Sequence, residues 1–505
     1  MMDRPGSQLE LDGLNLALAD LANFERQRPG LRIAADARAR MRASVAAVED
    51  AVRAERTTYG VNTGFGAFAN RRISIAEVRR LQVNLVRSHA CGVGSPLPAA
   101  LVRRVLVLKA NALAAGHSGV RDSVVDALLA CVERNVLPII PMQGSVGASG
   151  DLAPLAHLAL ALIGEGEALA DDRRLEGPAV CEAAGFAPLE LEAKEGLALL
   201  NGTQLSLALA TEGLERAERL LDAAIAIGAL TVEGLAGSYT PFDARIHAVS
   251  RLAGQIEVAH RLRRWLTDSE IRRSHEQCDR VQDPYAVRCM PQVLGAVHAT
   301  ITHAREVLGA AINGVSDNPL VFEADILSGG NFHAEPIGFV SDFLAIAVAE
   351  VGSMSERRTD LLDRRVNPAL NMFLTSEPGL ESGFMIAHVT AAALASENKT
   401  LAHPASVDSI PTSAGQEDHV SMAPWAGRKL QDVCTNVSRI LAIELLATAQ
   451  AIDHLRPLAT TPQLARLHTY VRQRVPARSG DHRLDRDIDT LARLIDAGGL
   501  PDADG

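Results

Sequence analysis

A turn of three small residues, Ala148-Ser149-Gly150, lies within the segment 144–155, directly before a predicted helix that opens on Pro154. Ala148 and Gly150 obstruct the backbone of Ser149 very little, so the Gly150 amide nitrogen can approach the Ala148 carbonyl carbon. If these two atoms condense and Ser149 loses its hydroxyl group, the product is a five-membered imidazolone ring with an exocyclic alkene. Such a ring is a strong electrophile, which no ordinary side chain is. The turn therefore predicts covalent catalysis by the backbone itself.

Two simpler functions of this segment stay open from its residues alone. A glycine-rich turn before a helix can bind phosphate through backbone N–H groups. The segment lacks the Gly-Lys-Ser/Thr of a P-loop, and its glycine spacing is not that of a dinucleotide site. Ser149 is also a candidate nucleophile, but its neighbours do not match the Gly-x-Ser-x-Gly turn of the hydrolases.

Further polar and glycine-rich loops interrupt the helical pattern, and loops held by a rigid scaffold are where function usually lies. They span residues 59–66, 88–92, 201–203, 282–288, 330–336 and 416–422. Taken singly, none of them decides a function. His89 alone is more often a structural histidine, and Arg288 alone is more often half of a surface ion pair.

The elements that would position these loops are helices. Only 3% of the residues are aromatic, so the 47% apolar fraction predicts a core of Ala, Leu, Val and Ile, and Ala and Leu favour helix. Apolar residues recur at spacings of three and four in the long predicted helices. These helices cover about 34–56, 205 to beyond 221, 290–313, 337–362, 382–402 and 427–453. We predict a mainly α protein with a turn-bearing domain over 1–200, a central long-helix bundle over 201–475 and a charged tail over 476–505.

The overall charge and the cysteines exclude several classes of function. A net charge of −11 argues against a nucleic-acid partner, because phosphate binding needs a basic surface. The six cysteines are scattered without zinc spacing, as is typical of reduced thiols in the cytosol. The N-terminus has no signal-peptide pattern, and charge-free runs such as 152–164 are shorter than the roughly 17–25 residues of a membrane span. We expect a soluble cytoplasmic protein without a metal, a membrane or a nucleic-acid partner.

Together these segments resemble the ammonia-lyases that build a methylidene-imidazolone (MIO) group from an internal Ala-Ser-Gly. The resemblance covers the chain from Tyr59 to about Leu430, and its most specific part is the segment 144–155. Within that family the chain is most similar to the histidine ammonia-lyases, on the segments 59–66, 88–89, 282–288, 329–336 and 416–422. The resemblance implies an MIO formed from Ala148, Ser149 and Gly150 without an external cofactor. It also implies a helical core of the fumarase/aspartase-like type and a homotetramer with shared active sites.

The resemblance also implies a role for each candidate residue. Tyr59 would be the base that removes the β-proton of the substrate, so neighbouring donors or positive charge must stabilise its phenolate. Arg288 would bind the substrate carboxylate with two hydrogen bonds, helped by Tyr285 and Asn201. The residues that border the MIO pocket would be Asn201, Gln282 and Phe332.

His89 and Glu417 would face the substrate side chain. Glu417 can accept an imidazole N–H, and His89 can pair with the other ring nitrogen. A phenyl substrate would leave both groups unpaired, at a cost of roughly 1–3 kcal/mol each. In this family, tyrosine-specific members carry His-Leu and phenylalanine-specific members Phe-Leu where this chain has Ser88-His89. We therefore predict L-histidine as substrate, with trans-urocanate and ammonia as products.

Several residues depart from the histidine ammonia-lyase pattern near the predicted pocket. Ala67 stands where lysine is common, and the segment 67–70 is closer to tyrosine ammonia-lyases. Glu381 and His388 replace Asn and Gln, and Gly415 replaces Asn. A tyrosine ammonia-lyase or an aromatic aminomutase therefore stays the alternative. A non-catalytic helical scaffold is disfavoured, because no proposed catalytic group is missing.

Overall fold

The computed structural model describes residues 8–504, and α-helix dominates them. The predicted mainly α fold class is therefore confirmed. The helices are α1 (Leu18–Gln27), α2 (Ala35–Arg53), α3 (Val78–His89), α4 (Ala99–Ala114), α5 (Asp122–Glu133), α6 (Leu152–Leu162), α7 (Pro178–Ala184), α8 (Glu195–Leu200), α9 (Gln204–Gly234), α10 (Ala244–Ser250), α11 (Ala253–Trp265), α12 (Glu270–Ser274), α13 (Tyr285–Arg288), α14 (Met290–Ala311), α15 (Glu335–Asp363), α16 (Met385–Leu401), α17 (Ala423–His454), α18 (Pro462–Arg474) and α19 (Asp485–Asp496). The strands are β1 (Gln8–Leu11), β2 (Gly30–Ile33), β3 (Val93–Pro96), β4 (Val136–Pro138), β5 (Pro141–Gln143), β6 (Glu167–Ala170), β7 (Arg173–Glu176), β8 (Leu320–Phe322) and β9 (Asp325–Leu327).

The chain divides into two compact units that are not continuous in sequence. The first unit comprises residues up to Glu212 together with Arg305–Ser341 and Pro404–Arg428. The second comprises Gly213–Ala304, Asp342–His403 and the chain from Lys429 onward. The sequence-based boundaries at 200 and 475 describe a different division and stay a prediction.

The first unit is built on helix α4. Apolar residues lie on all sides of this helix, and every residue from Leu101 to Ala114 is buried, as expected for a helix at the centre of a core. The strands of this unit form small sheets. β1 pairs with β2 in parallel, β3–β5 and β8–β9 are antiparallel pairs, and β4, β6 and β7 form an antiparallel sheet.

The second unit is a set of long helices joined by a buried polar network. The predicted apolar stripe of α17 is fully buried, at Val433, Val437, Ile440, Leu441 and Leu445. Glu444 of the same helix forms an ion pair with Arg358 of α15, and neither side chain is exposed to solvent. The Glu444 carboxylate also accepts hydrogen bonds from Ser355 and Thr231, each at 2.6 Å. These bonds satisfy its oxygens and join α9, α15 and α17.

The long predicted helices are confirmed, with their ends shifted by a few residues. The helix after the reactive turn begins at Leu152 rather than Pro154, so Pro154 lies in the first turn, where its missing N–H breaks no helical hydrogen bond. The predicted charged tail contains α19, because Leu491, Ala492 and Ile495 form a buried face along it.

Among the described residues, α15 is the one helix long and apolar enough to cross a membrane by length and composition. Two thirds of its most apolar window is buried inside the protein (67%). The core helix of a globular domain passes the same test, so the finding is weak evidence for a span.

Candidate active site

Seven of the eleven predicted site residues line one cavity of about 1340 Å³ in the first unit. They come from separate loops at the ends of helices: Tyr59, His89, Ala148, Ser149, Asn201, Phe332 and Glu417. Gly150 continues the turn from Ser149. The structure therefore brings together side chains that lie up to 358 residues apart in sequence (Tyr59 to Glu417), as a shared site requires.

The reactive turn is held tightly against the loop after α8. Gly150 has a left-handed backbone (φ +74°) and forms a bridge with Gly202. A Cβ atom at Gly150 would lie 2.2 Å from the Gly202 carbonyl oxygen, so glycine is required here. The Asp151 N–H donates to the same oxygen at 2.7 Å. The residues present thus fit an imidazolone ring, because the nitrogen that must attack belongs to an unobstructed residue in a compressed turn.

The other side of the turn is held by the segment before α17. The Met422 N–H donates to the Val146 carbonyl at 2.8 Å, and the Ser421 hydroxyl donates to the Gly147 carbonyl at 3.0 Å. The turn is therefore clamped between two loops, which restricts the conformations it can adopt.

Asn201 connects the turn to the protein interior. Its Nδ2 donates to the Ser149 carbonyl oxygen at 3.1 Å. In an imidazolone this oxygen would become the ring carbonyl, the atom on which negative charge develops when the alkene is attacked. Asn201 is therefore placed to stabilise that charge.

Asp151, between the turn and α6, is completely buried, and its burial raises the pKa of the carboxyl group to about 6. The carboxylate accepts hydrogen bonds from the Ser206 N–H at 2.8 Å and the Ser206 hydroxyl at 2.9 Å. Ser206 lies in the first turn of α9, so Asp151 satisfies one of the free N–H groups at that helix end. It ties the turn to α9.

Glu417 lies directly over the reactive serine. The Ser149 hydroxyl donates to Oε1 of Glu417 at 2.9 Å, and the Thr412 hydroxyl donates to Oε2 at 2.7 Å. Thr412 and Glu417 also pair through their backbones. The carboxylate is therefore oriented by its own loop, with one oxygen directed at the turn.

His89 ends α3, and its ring is held in one tautomer. Nδ1 lies 2.8 Å from the Leu85 carbonyl oxygen, which can only accept, so Nδ1 carries the proton and Nε2 is an acceptor. Burial lowers the pKa of His89 below its ordinary value, which favours the neutral ring. His89 and Glu417 therefore both present hydrogen-bond acceptors.

Tyr59 lies at the cavity wall with its ring edge-on to Phe65, at 6.4 Å between centroids. The Gly66 N–H donates to the Tyr59 hydroxyl oxygen at 3.3 Å. This loop is rich in glycine, which allows a backbone N–H to approach the phenol oxygen. The donor is of the kind that stabilises a phenolate.

Three predicted site residues, Gln282, Tyr285 and Arg288, belong to the second unit and are not among the residues that line the cavity. Tyr285 opens α13 and is 70% exposed, and the Arg288 guanidinium lies 4.5 Å from the centre of its ring. Their role in carboxylate binding stays a prediction.

Two of the departures from the family pattern lie away from this cavity and two border it, since Phe68 and Ala69 of the segment 67–70 are among its lining residues. Glu381 accepts hydrogen bonds from the N–H groups of Ser376 and Glu377, and His388 contacts Glu356 at 2.8 Å, all in the second unit. Gly415 lies in the loop 413–419, whose other members line the cavity. The side chain of Ala67 lies outside the described part of the structure.

Three potential metal ligands lie together near the cavity, and the sequence reasoning did not single them out. Ligand atoms of His333, Glu335 and His419 fall within 4.8 Å of one another. The two imidazole rings are stacked, with 5° between their planes, and a His333 ring nitrogen lies 3.2 Å from the His419 carbonyl oxygen. Lone pairs on stacked rings do not converge on one ion, so we assign no metal to this group.

The comparisons with known proteins agree with this geometry. A family model described as aromatic amino acid lyase matches residues 16–473. A histidine ammonia-lyase from Pseudomonas fluorescens is 51% identical over 483 residues, covering 95% of this chain and 94% of that protein. The crystal structure of histidine ammonia-lyase from Trypanosoma cruzi matches with a TM-score of 0.90 at 41% identity, over 97% of this chain and 94% of that one. A tyrosine aminomutase from Streptomyces globisporus matches with a TM-score of 0.91 at 35% identity, over 97% of each chain. The chain belongs to the aromatic amino acid lyase family.

Proposed function

We propose that this enzyme eliminates ammonia from L-histidine to give trans-urocanate, using an MIO group formed from Ala148, Ser149 and Gly150. The observation that carries the reaction class is the compressed turn at Gly150, held by Asn201 and Gly202. The choice of substrate is supported by the two acceptors, His89 and Glu417, in the same cavity. It is also supported by the 51% identity to the Pseudomonas fluorescens enzyme.

Elimination from an amino acid faces two obstacles, because the amine is a poor leaving group and the β-hydrogen is barely acidic. The MIO, once formed, supplies an electrophilic carbon that withdraws electrons from the substrate and so assists the departure of ammonia. Asn201 stabilises the oxygen that becomes more negative during this step, through the Nδ2 hydrogen bond to the Ser149 carbonyl.

The β-proton is taken by the Tyr59 hydroxyl oxygen. Tyr59 lines the cavity that contains Ser149, and the Gly66 N–H donates a hydrogen bond to its hydroxyl oxygen. A positioned base contributes about 10²–10⁴-fold to the rate of proton transfer. A base on a glycine-rich loop is exposed to the cavity, where a substrate carbon can approach its oxygen.

The side chain of the substrate is recognised as an imidazolium, because only the protonated ring has two N–H groups and can donate to two acceptors. Neutral His89 accepts through Nε2, because its Nδ1–H is engaged with the Leu85 carbonyl. Glu417 accepts through the oxygen that faces the turn. A phenyl ring offers no donor to either group, and a bound phenyl would cover both acceptors without a partner, at a cost of roughly 1–3 kcal/mol each.

The substrate carboxylate is bound by Arg288 with help from Tyr285 and Asn201. We assign Arg288, Tyr285 and Gln282 to a second copy of the chain in a homotetramer. The exposure of Tyr285 in the single chain supports this assignment, since an exposed tyrosine beside an arginine is available to another subunit. We place the enzyme in the cytoplasm, because its six cysteines are all free thiols.

Intact-mass spectrometry tests the MIO. We expect the wild-type chain to weigh two water molecules less than its sequence, and the Ser149→Ala variant to have its full sequence mass. An active wild-type enzyme with an unmodified mass would contradict the proposal.

Absorbance assays with single amino acids test the substrate. L-histidine should give the ultraviolet absorbance of urocanate, and L-tyrosine should give no conjugated acid. Turnover of L-tyrosine alone would favour the alternative, a tyrosine ammonia-lyase or an aromatic aminomutase. The structural match to the Streptomyces globisporus tyrosine aminomutase is the observation behind that alternative.

A further inference from the structure

Lys109 is a buried lysine in the middle of the apolar helix α4. Its side chain is only 1% exposed, and burial lowers the pKa of its ammonium group to about 7. Burying a charge is costly unless it is paired. An apolar residue at this position would avoid that cost, so the lysine needs another explanation.

Neither contact of the Lys109 ammonium group is a carboxylate. Nζ donates to the main-chain carbonyl oxygen of Asn201 at 2.8 Å and lies 3.5 Å from Oε1 of Gln204. The nearby carboxylate of Asp317 is bound by Lys194 instead, at 2.6 Å. Lys109 therefore acts on the backbone of the loop between α8 and α9.

This loop carries the two residues that hold the reactive turn. The Asn201 side chain donates to the Ser149 carbonyl, and the Gly202 carbonyl accepts from the Asp151 N–H beside Gly150. The peptide that joins Asn201 to Gly202 contains the oxygen that Lys109 binds. A shift of this one peptide would move both contacts to the turn at once.

The loop is anchored at few other points. The Ser316 hydroxyl oxygen accepts from the Thr203 N–H and from Nε2 of Gln204, both at 3.1 Å. These bonds fix the loop after Gly202. Lys109 fixes the loop before Gly202, at the carbonyl of Asn201, which caps the C-terminus of α8. A positive charge is favourable at a helix C-terminus, and the free carbonyl groups there need donors.

We propose that Lys109 is a positioning residue for MIO formation, which sets the Asn201–Gly202 peptide against the reactive turn through its hydrogen bond to the Asn201 carbonyl. This inference rests on the proposed function. In ring closure the Gly150 nitrogen bonds to the Ala148 carbonyl carbon. The Ala148 oxygen leaves as water with the hydrogens of the Gly150 and Ser149 amides. The Ser149 hydroxyl leaves as a second water with its α-hydrogen, and no oxidant is needed.

The test compares full-length variants by the rate at which newly folded chains lose two waters, followed by intact-mass spectrometry. Lys109→Met keeps an unbranched side chain that is one bond shorter, and it removes the donor. We expect its ring formation to be about tenfold slower or worse, since small misplacements of reacting groups have effects up to about 100-fold. Lys109→Arg keeps a donor, and we expect it to form the ring faster than Lys109→Met.

A matched control separates this role from ordinary stability. Lys429→Met removes another buried lysine, which is paired with Asp342 in the second unit. We expect it to lower the melting temperature and to leave ring formation complete. If Lys109→Met also formed the ring at the wild-type rate and lost only melting temperature, Lys109 would be merely structural and the inference would be wrong.

A second variant and steady-state kinetics test the role of Lys109 independently. If Lys109→Met does not fold, Lys109→Leu, which also removes the donor, is expected to show the same slow ring formation; a wild-type rate would overturn the inference. In Lys109→Met chains that have formed the ring, we expect kcat to be lower than in the wild type. The KM for L-histidine should stay within about twofold of the wild-type value. If the wild-type chain itself has an unmodified mass, the proposed function is wrong. If the wild type forms the ring and Lys109→Met forms it equally fast, only the inference about Lys109 is wrong.

Discussion

The two carboxylate oxygens of Glu417 have different hydrogen-bond partners. One oxygen faces the reactive turn and the other is bound by Thr412, so the group cannot turn away from the cavity without breaking a hydrogen bond. A residue fixed in this way adds specificity at little entropic cost on binding. Because the orientation of Glu417 is fixed, its charge can be tested separately from its shape.

Glu417→Gln keeps the shape and removes the charge. We expect kcat/KM for L-histidine to fall about 10–100-fold, because a hydrogen bond to a charged group contributes about 1.5–3 kcal/mol. The melting temperature should change little, since Thr412 can still donate to the amide oxygen. Glu381→Gln, which alters a carboxylate bound to backbone N–H groups in the second unit, is the control. Equal losses of activity and melting temperature would argue against a role in the pocket.

Lys109 makes stability depend on pH in a defined window. Burial lowers its pKa to about 7 in the folded protein, whereas an unfolded lysine titrates near 10.4. Between these values the unfolded chain holds a proton that the folded chain lacks, so stability rises with pH and the full penalty applies below pH 7.

We therefore expect the stability of the wild type to rise relative to Lys109→Met between pH 7 and about 10, by at most about 1.4 kcal/mol per pH unit. Urea unfolding at a series of pH values measures this difference. Lys399→Met, at an exposed lysine of α16, is the control. A constant difference across this window would show that Lys109 does not titrate there.

Among the elements, α15 and α17 are joined in the second unit by a buried ion pair. Arg358 and Glu444 are both fully buried, and Glu444 also binds Ser355 and Thr231. Removing one partner leaves a buried charge without compensation, whereas replacing both by apolar residues does not.

Glu444→Ala should lower the free energy of unfolding by about 3–5 kcal/mol, because Arg358 loses its partner. The double variant Arg358→Met/Glu444→Leu should lose less. Denaturant unfolding at a fixed protein concentration measures both. Arg245→Ala, which breaks a surface pair with Asp243 and leaves the Asp243 cap of α10 in place, is the control and should have a much smaller effect. A double variant less stable than Glu444→Ala would contradict this explanation.

Sequence reasoning predicted the long helices because apolar spacing repeats along them, as the stripe from Val433 to Leu445 illustrates. It predicted the turn because three small residues before a helix are unusual, whereas the roles of the residues around it came from the resemblance to the ammonia-lyases. It did not find Lys109 or Asp151, because the importance of each depends on burial and on contacts with distant loops. A lysine directly after the apolar run 105–108 was the available signal for Lys109.

At the scale of the whole molecule, the proposed assembly has a direct consequence. If Arg288 of one copy completes the cavity of another, a variant without Ser149 and a variant without Arg288 can complement each other. Sites with both residues intact would then form in mixed oligomers, although neither parent protein is active.

Ser149→Ala and Arg288→Ala should each be inactive toward L-histidine. Co-expressed in one cell, they should regain activity in about a quarter of the sites, because copies combine at random in a symmetric oligomer. Separately purified proteins mixed without subunit exchange are the control and should stay inactive. No recovered activity in verified mixed oligomers would indicate that Arg288 serves its own chain.

The contact between Gly150 and Gly202 limits how this chemistry can be transferred to other proteins. A methyl group at Gly150 would lie 2.2 Å from the Gly202 carbonyl oxygen, so the turn and the loop form one fitted unit. An Ala-Ser-Gly tripeptide grafted into a foreign loop would lack the opposing loop that contains Gly202. It should therefore stay an ordinary peptide. A designed catalyst of this type must therefore import both segments, 144–155 and 201–206, on a scaffold that holds them at this spacing.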